Sequence, residues 1–169
     1  MPKKKNQIKS PPLSEVAYQK IKERIVTLKL GPMDQVDEEW LAKELSIGRT
    51  PIREALFRLN AENLVEVVRG RGFFVRDITL HSIKDLFETM LILERSAVAL
   101  AANRIPIDQI EELRRINSNL CQAWLEKNFL HVTLLNSRFH RIIYKATDHS
   151  FLFSYLDNLQ NQSQRLAYL

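Results

Sequence analysis

A single cysteine, Cys121, is all that this chain of 169 residues contains. No internal disulfide can brace it, and a reducing compartment is expected. No apolar run approaches the roughly 18–20 residues that span a bilayer. The charged start MPKKKNQIKSPP is not followed by an apolar segment, so it is not a secretory signal, and the cytoplasm is the expected place of work. The chain has only four glycines and no Gly-rich phosphate loop. It also lacks a HExxH string, a cysteine-rich ligand set and a serine nucleophile elbow. These absences remove the common hydrolase and nucleotide-binding chemistries, and the expectation is that the protein is not an enzyme.

What is present is unevenly spread. The formal charge is +5, and the first 76 residues carry 15 of the 25 Lys+Arg against 10 of the 20 Asp+Glu. Residues 77–169 balance to zero, so the whole basic excess lies in the first part of the chain. A basic module favours phosphate contact through counterion release. The first dozen residues, with Lys3, Lys4 and Lys5 before Pro11-Pro12, show no periodicity and read as a disordered basic arm, residues 1–12.

Residues 13–76 read as helix, helix, turn, helix, hairpin. Leu13, Ala17, Ile21, Ile25 and Leu28 recur at helical spacing after a candidate cap at Ser14, and Gly31-Pro32 is the expected stop. Asp37 is the expected cap of a second helix with Leu41, Ala42 and Leu45 inward. Thr50 is the expected cap of a third, with Pro51 at its first position and Ala55, Leu56 and Leu59 inward. Asn63 suits a left-handed stop. Leu64–Val68 and Phe73–Arg76 are β-prone runs joined by a turn holding Gly70 and Gly72, a hairpin.

The third helix carries the chemistry. Arg49, Thr50 and Arg53 cluster at its start, where a recognition helix meets base edges and phosphates in a major groove. An arginine there can bind guanine O6 and N7 with two parallel hydrogen bonds or clamp a phosphate. Arg58, farther along, reads as surface charge. Arg69 and Arg71 flank Gly70 at the hairpin tip, where glycine lets backbone approach DNA closely.

Residues 77–169 show no strand signal and read as an antiparallel helix bundle. Thr79 or Ser82 caps the first helix, whose stripe is Leu86, Met90, Leu93, Ala97 and Leu100, with Asp85 as partner in a capping box from Ser82. After Pro106 a helix runs to about Lys127 on Ile110, Leu113, Ile116, Leu120 and Trp124, another runs from about Leu130 to Thr147, and a last one starts near Ser150. That last helix is still periodic at Leu169, so the bundle is expected to be incomplete here. Asn136 and His140, four apart, share one helix face. Residues 79–169 are expected to pair two chains and to enclose a polar-lined cavity containing His140 and Asn136, with Asn136, a metal or an effector oxygen as candidate partners of the His140 ring. The fold class expected is therefore mainly α: an N-terminal winged helix-turn-helix with a small β-hairpin wing, then an all-α antiparallel bundle. The residues leave three functions open: a ligand-responsive DNA-binding regulator, an architectural or interaction module that binds DNA without an effector response, and a metal-dependent enzyme.

Residues 13–76, with LAKELSIGRTPIREALFRL and then VVRGRGFFV, closely resemble the winged helix-turn-helix of GntR-family bacterial transcription regulators. The strings DLFETMLILERSAVALAA and LNSRFHRIIYKATDHSFL resemble the effector-binding domain of the FadR/FCD subgroup, and by that resemblance the domain is expected to be truncated at its C-terminus. The resemblance implies a homodimer that binds a palindromic double-stranded DNA operator and responds to a small-molecule metabolite. It carries recognition-helix contacts onto Arg49, Thr50 and Arg53 and wing contacts onto Arg69, Gly70 and Arg71. Three positions depart from the pattern: Gly48 stands where the family has Ser, Gly31-Pro32 inverts Pro-Gly, and Glu39 stands where some relatives carry a DNA-contacting Arg.

The resemblance also implies a divalent metal (Zn, Ni or Mn) in a complete protein, held in part at Asn136 and His140. Asn136 replaces the family's Asp, and an amide oxygen brings no charge to a metal. The family's carboxylate-binding Arg falls on Met90 here, and Glu94 lies one turn on. Met90, Glu94, Asn136 and His140 are thus the expected lining of an effector pocket.

Overall fold

The computed structural model describes residues 10–169. Most of the basic arm, residues 1–9, lies outside the described residues. The chain separates into two compact units, the first taking in Lys29–Arg76 and the helix before it up to Ile25, the second Asp77–Leu169 with Val26–Leu28.

In the first unit, α1 runs Leu13–Val26, one residue ahead of the expected cap at Ser14. The Pro12 carbonyl accepts from the Glu15 and Val16 N–H groups at 2.9 and 3.1 Å, so Ser14 lies inside the first turn and Leu13 is left exposed. The helix also ends five residues before Gly31. The β-branched run Ile25-Val26-Thr27 weakens it, and Leu28 turns left-handed at φ 55°. The Leu30 N–H then closes on the Arg24 carbonyl at 3.0 Å.

A strand that the sequence reading missed, β1 (Gln35–Val36), precedes α2 (Glu38–Leu45). Asp37 caps α2 as expected, accepting from the N–H groups of Glu39 at 2.8 Å and Trp40 at 3.0 Å. α2 stops at Ser46, left-handed at φ 54°, and Ile47 is buried in the turn to α3 (Arg49–Ala61). The expected cap at Thr50 is displaced. Gly48, extended at φ −60° and ψ 159°, is the N-cap, so Thr50 is the second helical residue and Pro51 the third. Pro51 is still tolerated, because its missing N–H falls in a turn whose N–H groups have no intrahelical partner.

Asn63 is left-handed at φ 58°, and the chain enters β2 (Val65–Val68), which pairs antiparallel with β3 (Gly72–Val75) from Val65↔Val75 to Val68↔Gly72. β1 adds to the other edge of β3, giving the order β1-β3-β2. Ile21 and Ile25 of α1, Leu41 of α2, Ile52, Leu56 and Leu59 of α3, and Val65, Phe73 and Val75 of the sheet form one core. A rigid platform under the start of α3 and under the hairpin follows from that packing.

The second unit is four helices: α4 (Leu80–Ala102), α5 (Ile107–Leu125), α6 (Phe129–Ala146) and α7 (Ser150–Leu166). Thr79 caps α4, and its capping-box partner is Ser82 rather than the expected Ser82–Asp85 pair. α6 packs on α4, α5 and α7, and α4 packs on α7. Ala97, Tyr144 and Leu156 form one core between α4, α6 and α7, and Ile116, Ala123 and Leu135 form a second between α5 and α6. Leu93 and Leu100 of the expected α4 stripe are only half-buried. Trp124, expected inward, is 62 % exposed and stacks edge-on with Phe129 at the α5–α6 corner, while the smaller Ala123 takes the buried place. No helix among the described residues is long and apolar enough to cross a membrane.

Candidate nucleic-acid interface and ligand cavity

The start of α3 presents its predicted residues together. Arg49, Thr50 and Arg53 are all exposed. Because Gly48 offers no side-chain cap, the free N–H groups of the first turn face outward unsatisfied by a side chain. Thr50 is relieved of the capping role, so its hydroxyl is available to an incoming phosphate. Helix N-termini favour anions for the same reason.

The two arginines are held differently. Arg53 lies over the ring of Phe57 one turn on, 6.0 Å from its centroid, and Phe57 meets Phe73 of β3 edge-on at 5.3 Å. That chain of contacts favours one direction of the Arg53 side chain. Arg49 instead pairs with Glu39 of α2 at 2.8 Å. Arg58 points the other way: its guanidinium stacks 3.6 Å from the Tyr18 centroid and pairs with Glu15 at 2.5 Å. It ties α3 to α1. Glu15 is correspondingly held below the usual carboxylate range, by the Gln19 amide first and then by Arg58.

At the hairpin tip, Gly70 (φ 75°) and Gly72 (φ 93°) take backbone conformations that other residues rarely adopt. Arg69 and Arg71 are exposed. Arg71 lies 5.0 Å over Phe74, and its carbonyl accepts from the Gln35 amide of β1 at 2.9 Å. A Gly-rich tip is expected to offer few supports; Arg71 has two, and β1 is the element that provides one of them.

In the second unit, Met90 and Glu94 of α4 and Asn136 and His140 of α6 line one open cavity of about 420 Å³. Phe87 and Leu91 add an apolar wall, and Gln160 and Ser163 of α7 extend the polar side. His140 takes Glu94 as its partner, where Asn136 was one of the candidates: His140 Nδ1 lies 3.2 Å from Glu94 Oε1. Tyr144, buried beneath, donates its hydroxyl to the same Glu94 oxygen and also reaches Gln160 Oε1 at 3.4 Å. His140 and then burial, acting in opposite senses, set the Glu94 carboxyl, with the net result below its ordinary range. Burial and the Glu94 hydrogen bond push the Tyr144 phenol upward, so it stays a neutral donor. Sequence reasoning missed Tyr144 and Gln160. Tyr144 follows His140 by four residues on the same helix face, and that spacing was the available signal.

A profile described as "Bacterial regulatory proteins, gntR family" matches residues 13–75, and one described as "FCD domain" matches residues 85–169. The chain belongs to the GntR family, with an FCD domain as its second unit. Among relatives, the "Nta operon transcriptional regulator" of Aminobacter aminovorans is 38% identical over 89 residues, covering 53% of this chain and 42% of that protein. The "HTH-type transcriptional regulator McbR" of Escherichia coli (strain K12) is 28% identical over 119 residues, 70% of this chain and 54% of that one. The match thus spans about half the length of each of these two relatives. The solved structure "E. coli McbR/YncC" overlays with a TM-score of 0.81 at 23% identity over 94% of this chain and 75% of that one. A Rhodococcus structure described as a putative GntR regulator overlays at 0.72 and 16% identity, over 92% of this chain and 74% of that one. Both likenesses establish the fold.

The GntR resemblance raised a divalent metal at Asn136 and His140. A tight site needs several imidazole, thiolate or carboxylate donors converging on one point. Among the described residues no three such groups converge. Asn136 is a neutral amide, and Glu94 already spends Oε1 on Tyr144 and His140. The residues present do not fit a divalent metal.

Proposed function

We propose that this GntR-family chain is a sequence-specific DNA-binding transcription regulator that acts as a dimer on a palindromic operator and answers to a small ligand. Arg49, Thr50 and Arg53 enter the major groove, and Arg69, Gly70 and Arg71 lie along the backbone beside it. The observation that carries this reading is the exposed basic cluster on an uncapped helix start, with Arg53 braced over Phe57. Uncapped N–H groups and guanidinium forks are the groups that bind phosphates and guanine edges. The effector part rests on the 420 Å³ cavity, whose size lies within the range of small-molecule sites. The metal-dependent enzyme reading has no converging donor set behind it among the described residues.

Selection from a random duplex pool, followed by sequencing, tests the proposal. An inverted repeat with half-sites about one or two helical turns apart is the expected product. A pool with no enriched motif would reduce the protein to a nonspecific or architectural DNA binder.

A further inference from the structure

The cavity of the second unit has a specific chemical asymmetry. Among the described residues, Glu94 is the only carboxylate that lines it, and no lysine or arginine does. One oxygen of that carboxylate, Oε1, is already occupied by Tyr144 and His140. The other, Oε2, receives no hydrogen bond from any described residue. A carboxylate oxygen with no donor gains most from a charge-assisted one, roughly twice as strong as a neutral one. A ligand carboxylate placed there would meet the Glu94 charge, and the one lining group able to carry positive charge, the His140 ring, is already paired with Glu94.

The rest of the wall completes the pattern. Of the apolar residues lining the cavity, Met90 is buried while Phe87 and Leu91 are about half exposed. An apolar group would cover these side chains, and the Phe87 ring face is itself attractive to a nearby cation. Gln160 is buried, with its Oε1 3.4 Å from the Tyr144 hydroxyl whose proton goes to Glu94.

We propose that this cavity binds a small primary ammonium ligand bearing an apolar group, with the ammonium on Glu94 and the apolar part against Met90, Phe87 and Leu91. This rests on the reading of the second unit as the ligand-sensing part and names the ligand class for it. Met90 is central to the selectivity: a neutral thioether here leaves Glu94 as the charge that the ligand must satisfy.

Calorimetry on the full chain with three probes on one frame tests this: phenethylamine, 2-phenylethanol and 3-phenylpropionate. Phenethylamine should bind detectably at about 1 mM or below, and at least tenfold tighter than the alcohol or the acid. Glu94→Gln, which keeps the shape and can still meet Tyr144, should lose that tenfold preference. Met90→Arg should reverse it in favour of 3-phenylpropionate, and circular dichroism on both variants checks that the helices remain folded. Preference for 3-phenylpropionate by the unmodified chain, an unchanged preference in a folded Glu94→Gln variant, or no binding by phenethylamine would overturn the proposal. DNA affinity measured with and without each probe separates the two readings. Phenethylamine binding as predicted with no effect on DNA affinity supports the ligand class and removes the sensing role. Acid preference with an effect on DNA affinity overturns the class and leaves sensing intact.

Discussion

Arg49 at the start of α3 and Glu39 in the first turn of α2 form an ion pair at 2.8 Å, with both side chains more than half exposed. The pair joins the two helices of the helix-turn-helix on its outer face. Glu39 is therefore a competitor for any phosphate that approaches Arg49. Exposed pairs of this kind are worth about 0.2–1 kcal/mol, so a phosphate can displace the carboxylate but must overcome it. Glu39→Gln is expected to raise DNA affinity severalfold, by up to about 1 kcal/mol. A double-mutant cycle with Arg49→Ala checks the cause, since most of the gain should vanish in the Arg49→Ala background. A gain that persists in full there would assign the effect to general charge instead.

The wing is expected to supply affinity rather than specificity. Arg69 has no bracing contact among the described residues, while Arg71 is held by Phe74 and by the Gln35 amide. Replacing each by alanine should flatten the plot of log affinity against log salt by about one unit for every phosphate left without its arginine. Gln35→Ala should weaken binding through Arg71 alone and leave the Arg69→Ala effect unchanged. An unaltered salt slope in the double alanine variant would place the tip away from DNA.

Arg58→Ala is expected to lower stability rather than DNA affinity. Its stacking on Tyr18 and pairing with Glu15 join α3 to α1. Half exposure limits the loss to about 1 kcal/mol. The pH dependence carries the same signature. Glu15 is depressed in the folded protein, so its stabilising contribution is present above the unfolded carboxylate value of about 4.3 and fades as pH falls through the lower folded value. Denaturant melts at neutral and acid pH should show the gap between the parent chain and Arg58→Ala narrowing on the acid side. A constant gap would mean that stacking on Tyr18, not the ion pair, holds the joint.

Periodicity and capping made much of this fold readable. Asp37, Asn63 and Thr79 behave as their chemistry dictates, and the apolar stripes place α2, α3 and the bundle helices. The misreadings have local causes. Gly48 rather than Thr50 caps α3 because an extended glycine can hold the N-cap position with no side chain at all. β1 has only two residues and joins the sheet through β3, a long-range pairing that no alternation pattern can announce. Trp124 continues the α5 stripe in spacing yet lies outside, since Ala123 fills the narrow gap beside α6. In the cavity, the helix-face argument brought Asn136 and His140 together, but the partner of His140 comes from α4, and that contact depends on how three helices pack.

Binding of DNA by a directed arginine on α3 is most directly tested at Arg53. Its stem is braced by Phe57, so it should aim at a base edge rather than only at phosphate. Fluorescence anisotropy at fixed salt, with Arg53→Ala and the parent chain titrated against a selected duplex and a scrambled one, is the measurement. The account predicts a loss of about 1–3 kcal/mol on the selected duplex and little change on the scrambled one. Equal losses on both would make Arg53 a phosphate contact, and no loss on either would contradict the assignment of the α3 start as the DNA-reading surface.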